Sequence, residues 1–188
     1  PLHSRPSFIT IDIKKPVAEN SKKPFFGPGP LNLYDILHTI KKAKNDRLIS
    51  GIFLKIDKAP LRISQIEEIR NELLSFKKTG KKVHAFLLDA GNKEYYLASC
   101  ADSISMAPSG HLYLTGLHIS IYFYKTLLDK IGISFERIKK GTYKSALQRF
   151  TKNKIPQKIR ENLTVFLKDI NRQFFSDIKQ ARKLTQTQ

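Results

Sequence analysis

Few side chains in this sequence are spaced for chemistry, and their pattern excludes several common kinds. The five histidines, His3, His38, His84, His111 and His118, never fall at metal-ligand spacing with acids or with the single Cys100. They read as surface or strand residues, and no metal or other cofactor is expected. No G-x-G-x-x-G follows the first apolar run, and no G-x-x-x-x-G-K-[ST] occurs anywhere. The only glycine-dense stretch, Gly27-Pro28-Gly29, carries a proline, and proline lacks the N–H that a phosphate cradle needs. A G-x-S-x-G elbow is also missing, which removes support for a hydrolase triad of that type. Cys100 lies in Tyr95-Tyr96-Leu97-Ala98-Ser99-Cys100-Ala101 and reads as a small buried residue on a helix. A lone cysteine forms no internal disulfide. Serines and lysines remain as candidates.

The elements that must position them alternate strand and helix. Residues 7–13 (Ser-Phe-Ile-Thr-Ile-Asp-Ile) alternate apolar and polar like a strand with one covered face. Residues 16–30 are a flexible loop, too rich in Pro, Gly and Lys for regular structure. Leu33, Ile36, Leu37 and Ile40 recur at helical spacing, and residues 51–57 form a second, more buried strand. Ser64 with Glu67 predicts a capping box. The helix behind it turns Ile66, Ile69, Leu73 and Phe76 inward and stops before Gly80. A third strand covers 83–88 and a short helix 95–101. Short strands follow at 104–106 and 112–114, then a helix around Leu127, Leu128 and Ile131 closed by Gly132, and a strand at 134–138. A long helix spans 156–185, opening on Pro156 and carrying an uncapped apolar stripe to the end of the chain. This order predicts an α/β fold with a mostly parallel sheet and right-handed crossovers. The 188 residues read as a single domain, and the start at Pro1 and stop at Gln188 look cut from something longer.

One ordered set of segments carries a family resemblance. It comprises Glu94-Tyr95-Tyr96-Leu97-Ala98-Ser99, Pro108-Ser109-Gly110, Tyr124-Lys125-Thr126-Leu127-Leu128-Asp129-Lys130, and Gly141-Thr142-Tyr143-Lys144-Ser145-Ala146. Earlier pieces, Leu33-Tyr34-Asp35-Ile36 and Gly80-Lys81-Lys82-Val83, stand in the same order. Together they resemble the N-terminal domain of the signal peptide peptidase A family, in its long two-domain bacterial form, within the Clp protease/crotonase superfamily. The resemblance implies a ββα-type spiral and a chain that is the N-terminal half of a larger serine peptidase. It also implies signal peptides as substrates and the outer, periplasmic face of a bacterial inner membrane as the location. Implied partners are the membrane surface, the protein's own C-terminal domain, and further copies in a ring such as a tetramer.

Within that resemblance Lys144 is the general base of a Ser/Lys dyad. A free lysine has a pKa of about 10.4 and holds its proton at neutral pH. Burial disfavours the ammonium, and a three-unit drop corresponds to about 4 kcal/mol. The neutral amine could then take a serine proton and start acyl-enzyme chemistry. Tyr143, Ala146, Leu147 and Phe150 offer apolar surroundings. The departures are specific. Short members of the family carry serine in an Ala-Ser-Gly-Gly-Tyr context, where this chain reads Ala90-Gly91-Asn92-Lys93-Glu94-Tyr95 with Asn92 near the serine position. The loop Lys58-Ala59-Pro60-Leu61-Arg62 has no glycine to present an oxyanion-hole amide. Ser99, placed mid-helix, and Ser145 read as structural. The chain alone is expected to be inactive, its serine lying on the C-terminal domain.

Charge leaves alternatives. Lys+Arg 34 against Asp+Glu 16 gives +18, a field that attracts anionic surfaces. Pairs such as Lys41-Lys42, Lys77-Lys78 and Lys81-Lys82 are scattered along the sequence rather than gathered in one block. No RNP-like segment or recognition helix accompanies them, so nucleic acid is not an expected partner. An inert assembly domain of the same fold and a basic module for anionic surfaces both stay open. A crotonase-type acyl-CoA enzyme would need the oxyanion glycines that the Lys58–Arg62 loop lacks.

Overall fold

The computed structural model describes residues 7–14, 17–18, 32–58, 61–134 and 147–185. Apart from Val17 and Ala18, the expected 16–30 loop lies outside the described residues, as does the expected 134–138 strand apart from Ser134. Strand β1 (Ser7–Ile13), helix α1 (Leu33–Asn45), β2 (Ile49–Ile56), α2 (Ile63–Lys77), β3 (Lys82–Leu87), α3 (Asn92–Ala98) and β4 (Ser103–Met106) alternate in the chain. The sheet order is β1-β2-β3-β4 and every pairing is parallel. The α/β expectation holds.

Each crossover steps to the next strand in the same direction. Right-handed crossovers of that kind place α1, α2 and α3 on one face of the sheet. Burial follows the strand period of two. Ile11, Ile13, Leu54, Ile56, Ala85 and Leu87 are buried beneath the helices. Thr10, Phe53, Lys55, His84 and Phe86 point to the other face and are half-buried or exposed. From the helix side, Ile36 and Ile40 of α1, Ile66, Ile69, Leu73 and Phe76 of α2, and Leu97 of α3 complete the core.

Helix ends follow local chemistry, with two departures from expectation. Asn32 caps α1, its Oδ1 accepting from the Asp35 amide at 2.8 Å. The box expected at Ser64 does not form, because α2 begins earlier, at Ile63. The capping side chain is Gln65, whose Oε1 accepts the Arg62 N–H at 2.9 Å. Gly80, at φ +84, ends the turn after α2 as expected. The strand expected at 112–114 reduces to one bridge between Ala90 and Leu112. Leu112, Tyr113 and Leu114 are all exposed, so no covered face exists to hold a longer ladder.

The chain divides into two compact units, residues 1–115 with 175–188, and residues 116–174. The second unit holds α4 (Lys125–Lys130), α5 (Gln148–Thr151) and the larger part of α6 (Gln157–Arg182). Within it the Tyr124 N–H donates to the Arg149 carbonyl at 2.7 Å, and the Tyr124 and Phe150 rings stack with centroids 5.9 Å apart. The Pro156 carbonyl accepts the Ile159 and Arg160 amides, so Pro156 opens α6 as expected. Phe166 is exposed; at 3.6 residues per turn it falls on the rim of the stripe formed by Leu163, Leu167, Ile170 and Phe174.

Helix α6 does not run on uncapped. Lys183 takes φ +54, the Leu184 N–H donates to the Lys179 carbonyl at 3.0 Å, and the Lys183 N–H donates to Gln180 at 3.4 Å. That pair of bonds is a Schellman closure built on lysine rather than glycine.

Candidate active site

In an open parallel sheet the loops at the carboxyl ends of the strands form the ligand-facing edge. Here β2 runs into Asp57 and Lys58, and β3 runs through Leu88 into Asp89. Lys58 holds φ +37, which for a non-glycine residue costs roughly 1–2 kcal/mol. Two contacts hold it there. Its amide donates to the Asp89 carbonyl at 3.3 Å, and its ammonium pairs with Asp89 Oδ2 at 2.8 Å. The amide is therefore bonded within the protein.

Asp89 is the hub of this edge. Its Oδ1 accepts the His111 amide at 2.8 Å and lies 3.4 Å from His111 Nδ1. The Lys58 hydrogen bond, helped by the His111 amide, holds the Asp89 carboxyl down at about 2. The same partner pushes Lys58 up from its ordinary value. Next along the chain, the Ala90 amide donates to the His111 carbonyl at 2.9 Å and the Tyr113 amide to the Ala90 carbonyl at 2.8 Å. Gly91 follows, its N–H capped by Glu94 Oε2 at 3.0 Å, and α3 begins at Asn92. Lys93 ties the start of α3 to the loop after β2 by donating to the Leu61 carbonyl at 2.9 Å.

Asn92, Lys58, Asp89 and His111 thus share one edge. It presents the Asn92 side-chain amide and the Lys58–Asp89 ion pair. Sequence reasoning flagged Asn92 and the Lys58 loop but missed Asp89 and His111, whose pairing depends on a turn more than twenty positions long. Lys144 and Ser145 lie outside the described residues, together with Gly141, Tyr143 and Ala146.

The remaining serine has a structural role. Ser99 is fully buried at the C-cap of α3, not mid-helix as expected. Its hydroxyl donates to the Tyr96 carbonyl at 2.8 Å and accepts from Arg70 Nη1 at 2.7 Å. Arg70 is itself 4% exposed and also bonds the Tyr96 carbonyl, with its guanidinium 4.0 Å from the Tyr96 ring centroid. The Tyr96 hydroxyl donates to Asp177 Oδ2 at 2.5 Å, and burial, with this bond, pushes the phenol above its ordinary value. Arg70 was also missed, although it sits at i+4 from Ile66 on the apolar stripe. Cys100 is buried as expected, in the turn just past α3, and burial pushes its thiol up to about 11. No group of three or more His, Cys, Asp and Glu among the described residues could hold a metal ion.

Comparison with known proteins decides the family. The model of Peptidase family S49 matches residues 75–188. The chain belongs to peptidase family S49. S49 peptidases have a Clp/crotonase-like fold, which agrees with the parallel sheet seen here. "Protease 4" of Salmonella typhi is 31% identical over 163 residues, covering 84% of this chain and 26% of that protein. "Serine protease SPPA, chloroplastic" of Arabidopsis thaliana is 29% identical over 175 residues, covering 93% of this chain and 26% of that protein. "Putative signal peptide peptidase SppA" of Enterococcus faecium is 23% identical over 145 residues, covering 77% of this chain and 42% of that protein. This S49 chain spans about a quarter of the length of the first two relatives. No helix among the described residues is long and apolar enough to cross a membrane.

Proposed function

We propose that the whole protein is a serine endopeptidase with a Ser/Lys dyad, that Lys144 is its general base, and that the serine lies on a homologous C-terminal domain. Family membership supports the peptidase class. The observation that carries the split site is Asn92 at the first position of α3, on the carboxyl edge of the sheet, where short members of the family carry serine. An amide cannot attack a carbonyl, so the nucleophile must come from elsewhere. The Lys58 amide, bonded to Asp89, is likewise withheld from an oxyanion.

The chemistry then runs in two steps. Neutral Lys144 takes the proton from the serine hydroxyl as it attacks the peptide carbonyl, and the lysinium protonates the departing amine. Lysine next deprotonates a water that hydrolyses the acyl-enzyme. Signal peptides are the proposed substrates, entering extended and adding as a strand. Ile119, Ile121, Phe123, Leu163 and Leu167 line an open groove in the 116–174 unit together with Lys154 and Arg160, a mixed surface of apolar side chains and cations. The proposed setting is the outer face of a bacterial inner membrane, with the protein's own C-terminal domain and further copies completing a ring.

One observation favours a second reading. An edge with Asn92 and an inward-turned Lys58 also suits an assembly domain without chemistry. Full-length protein separates the two. Lys144→Ala should lower hydrolysis of a hydrophobic signal-peptide substrate by about 10²–10⁴-fold. Unchanged turnover would remove Lys144 from the mechanism, and an inert parent protein would favour the assembly reading.

A further inference from the structure

The lysine pairs that look scattered in the sequence are collected by the fold. Helices α1 and α2 run back against the strands, so their C-termini reach the amino-terminal edge of the sheet, opposite Asn92 and Asp89. Contacts lock the two helix ends and the start of β3 together there. Lys81 Nζ donates to the carbonyls of Ala43 at 2.6 Å, Lys44 at 3.0 Å and Asp46 at 2.6 Å. Lys44 Nζ bonds Ser75 Oγ at 2.8 Å, and Lys77 Nζ bonds the Cys100 carbonyl at 2.7 Å and Asp102 at 3.3 Å. Those three lysines hold the edge.

Others face out from it. Lys42, Arg47, Lys78 and Lys82 are exposed, and no described acid forms a salt bridge with them. Among the described residues Lys41 pairs with Glu72 alone, at 3.8 Å. Lys82 helps hold the Asp102 carboxyl down, but that carboxylate is bonded by Lys77 and by the Val83 amide at 2.8 Å. Apolar side chains stand among these cations: Leu48, next to Arg47, is 52% exposed, and Leu74, one turn before Lys78, is 36% exposed.

We propose that this edge docks on an anionic lipid bilayer. Cations with long aliphatic stems seat against acidic headgroups while leucines enter the acyl boundary. Leucines offer neither a π face to stack a base nor a hydrogen bond to read one, which disfavours nucleic acid as the occupant. The proposal gives the membrane-surface location above a specific face. Its readout is vesicle binding rather than hydrolysis, so a Lys144→Ala protein must bind as the parent does.

The test uses the full-length protein with vesicles of phosphatidylcholine alone or with one part in three phosphatidylglycerol. Each removed cation should cost about fivefold in partition. The combined Lys42→Gln, Arg47→Gln, Lys78→Gln, Lys82→Gln variant should therefore lose the anionic-lipid-dependent component by two orders of magnitude or more. Removing four exposed lysines of the 116–174 unit, by Lys130→Gln, Lys152→Gln, Lys158→Gln and Lys168→Gln, should cost far less. Leu48→Ser should weaken vesicle binding severalfold at 0.5 M salt, where headgroup attraction is screened. All substituted positions are exposed, and unchanged melting temperatures would exclude loss of fold; if the combined variant melts early, Arg47→Gln and Lys78→Gln are read singly. Equal losses for the two four-residue variants would overturn the proposal. So would binding indifferent to phosphatidylglycerol, or tighter binding to an RNA oligonucleotide abolished by the same four substitutions.

Discussion

Asp89 is a residue whose chemistry the fold plainly perturbs. Lys58 and the His111 amide hold its carboxyl at about 2 against an ordinary 3.8. A depressed carboxyl stabilises the fold above its ordinary pKa, and that contribution is lost as pH falls from the ordinary range toward about 2. Carbon-detected titration should therefore place the Asp89 midpoint near 2, and Lys58→Met should move it back toward 3.8. A midpoint at the ordinary value in the parent would mean that the ion pair does not persist in solution. Because Lys58 is largely exposed, the pair itself contributes little stability; its effect is to hold a left-handed backbone. Arg70 is the opposite case. It is buried, and Arg70→Ala removes its contacts to the Ser99 hydroxyl, the Tyr96 carbonyl and the Tyr96 ring, so a loss of about 2–4 kcal/mol in denaturant unfolding is expected. A change below about 0.5 kcal/mol would show that the network is replaceable by water. Neither residue was conspicuous in the sequence. Each depends on a partner far along the chain, Arg70 on Ser99 and Asp89 on His111, and pattern reading sees neighbours.

Elements were far more legible, because period and punctuation are local. Strand alternation gives β1 the bounds expected of it, and Gly80 closes the turn after α2. The failures share a cause. At Ser64 two polar residues matched a capping pattern, but the core takes Ile66 and Ile69, and the helix that buries them begins at Ile63 with Gln65 as cap. At Lys183 the closure needs φ +54, for which glycine is the usual signal, so a lysine gave none. The loop after β4 offers a sharper test. A Cβ on Gly110 would lie 2.0 Å from the Leu88 carbonyl oxygen, which belongs to backbone and cannot yield. Gly110→Ala should destabilise the fold by about 1–3 kcal/mol and disturb the neighbouring Asp89–His111 contact, visible as a shift in the Asp89 midpoint. Wild-type stability in that variant would show that the loop has room to move.

At the scale of the molecule, one parallel sheet gives this S49 chain two chemically different edges. The carboxyl edge carries Asn92, Asp89 and the inward-turned Lys58; the amino edge carries the exposed cations of α1, α2 and β3. Family and fold class were legible because ordered motifs and alternation survive in a single sequence. The clustering of charge was not, since lysines at 42, 78 and 82 come to one edge only when two helices return along the sheet. On the proposed reading Lys144 is the general base and the nucleophile lies outside residues 1–188. The most direct test is to label the full-length protein with a fluorophosphonate and map the modified serine by peptide sequencing. The account predicts a single adduct on a serine beyond Gln188, lost in Lys144→Ala. An adduct on a serine within these residues, or labelling retained without Lys144, would contradict it.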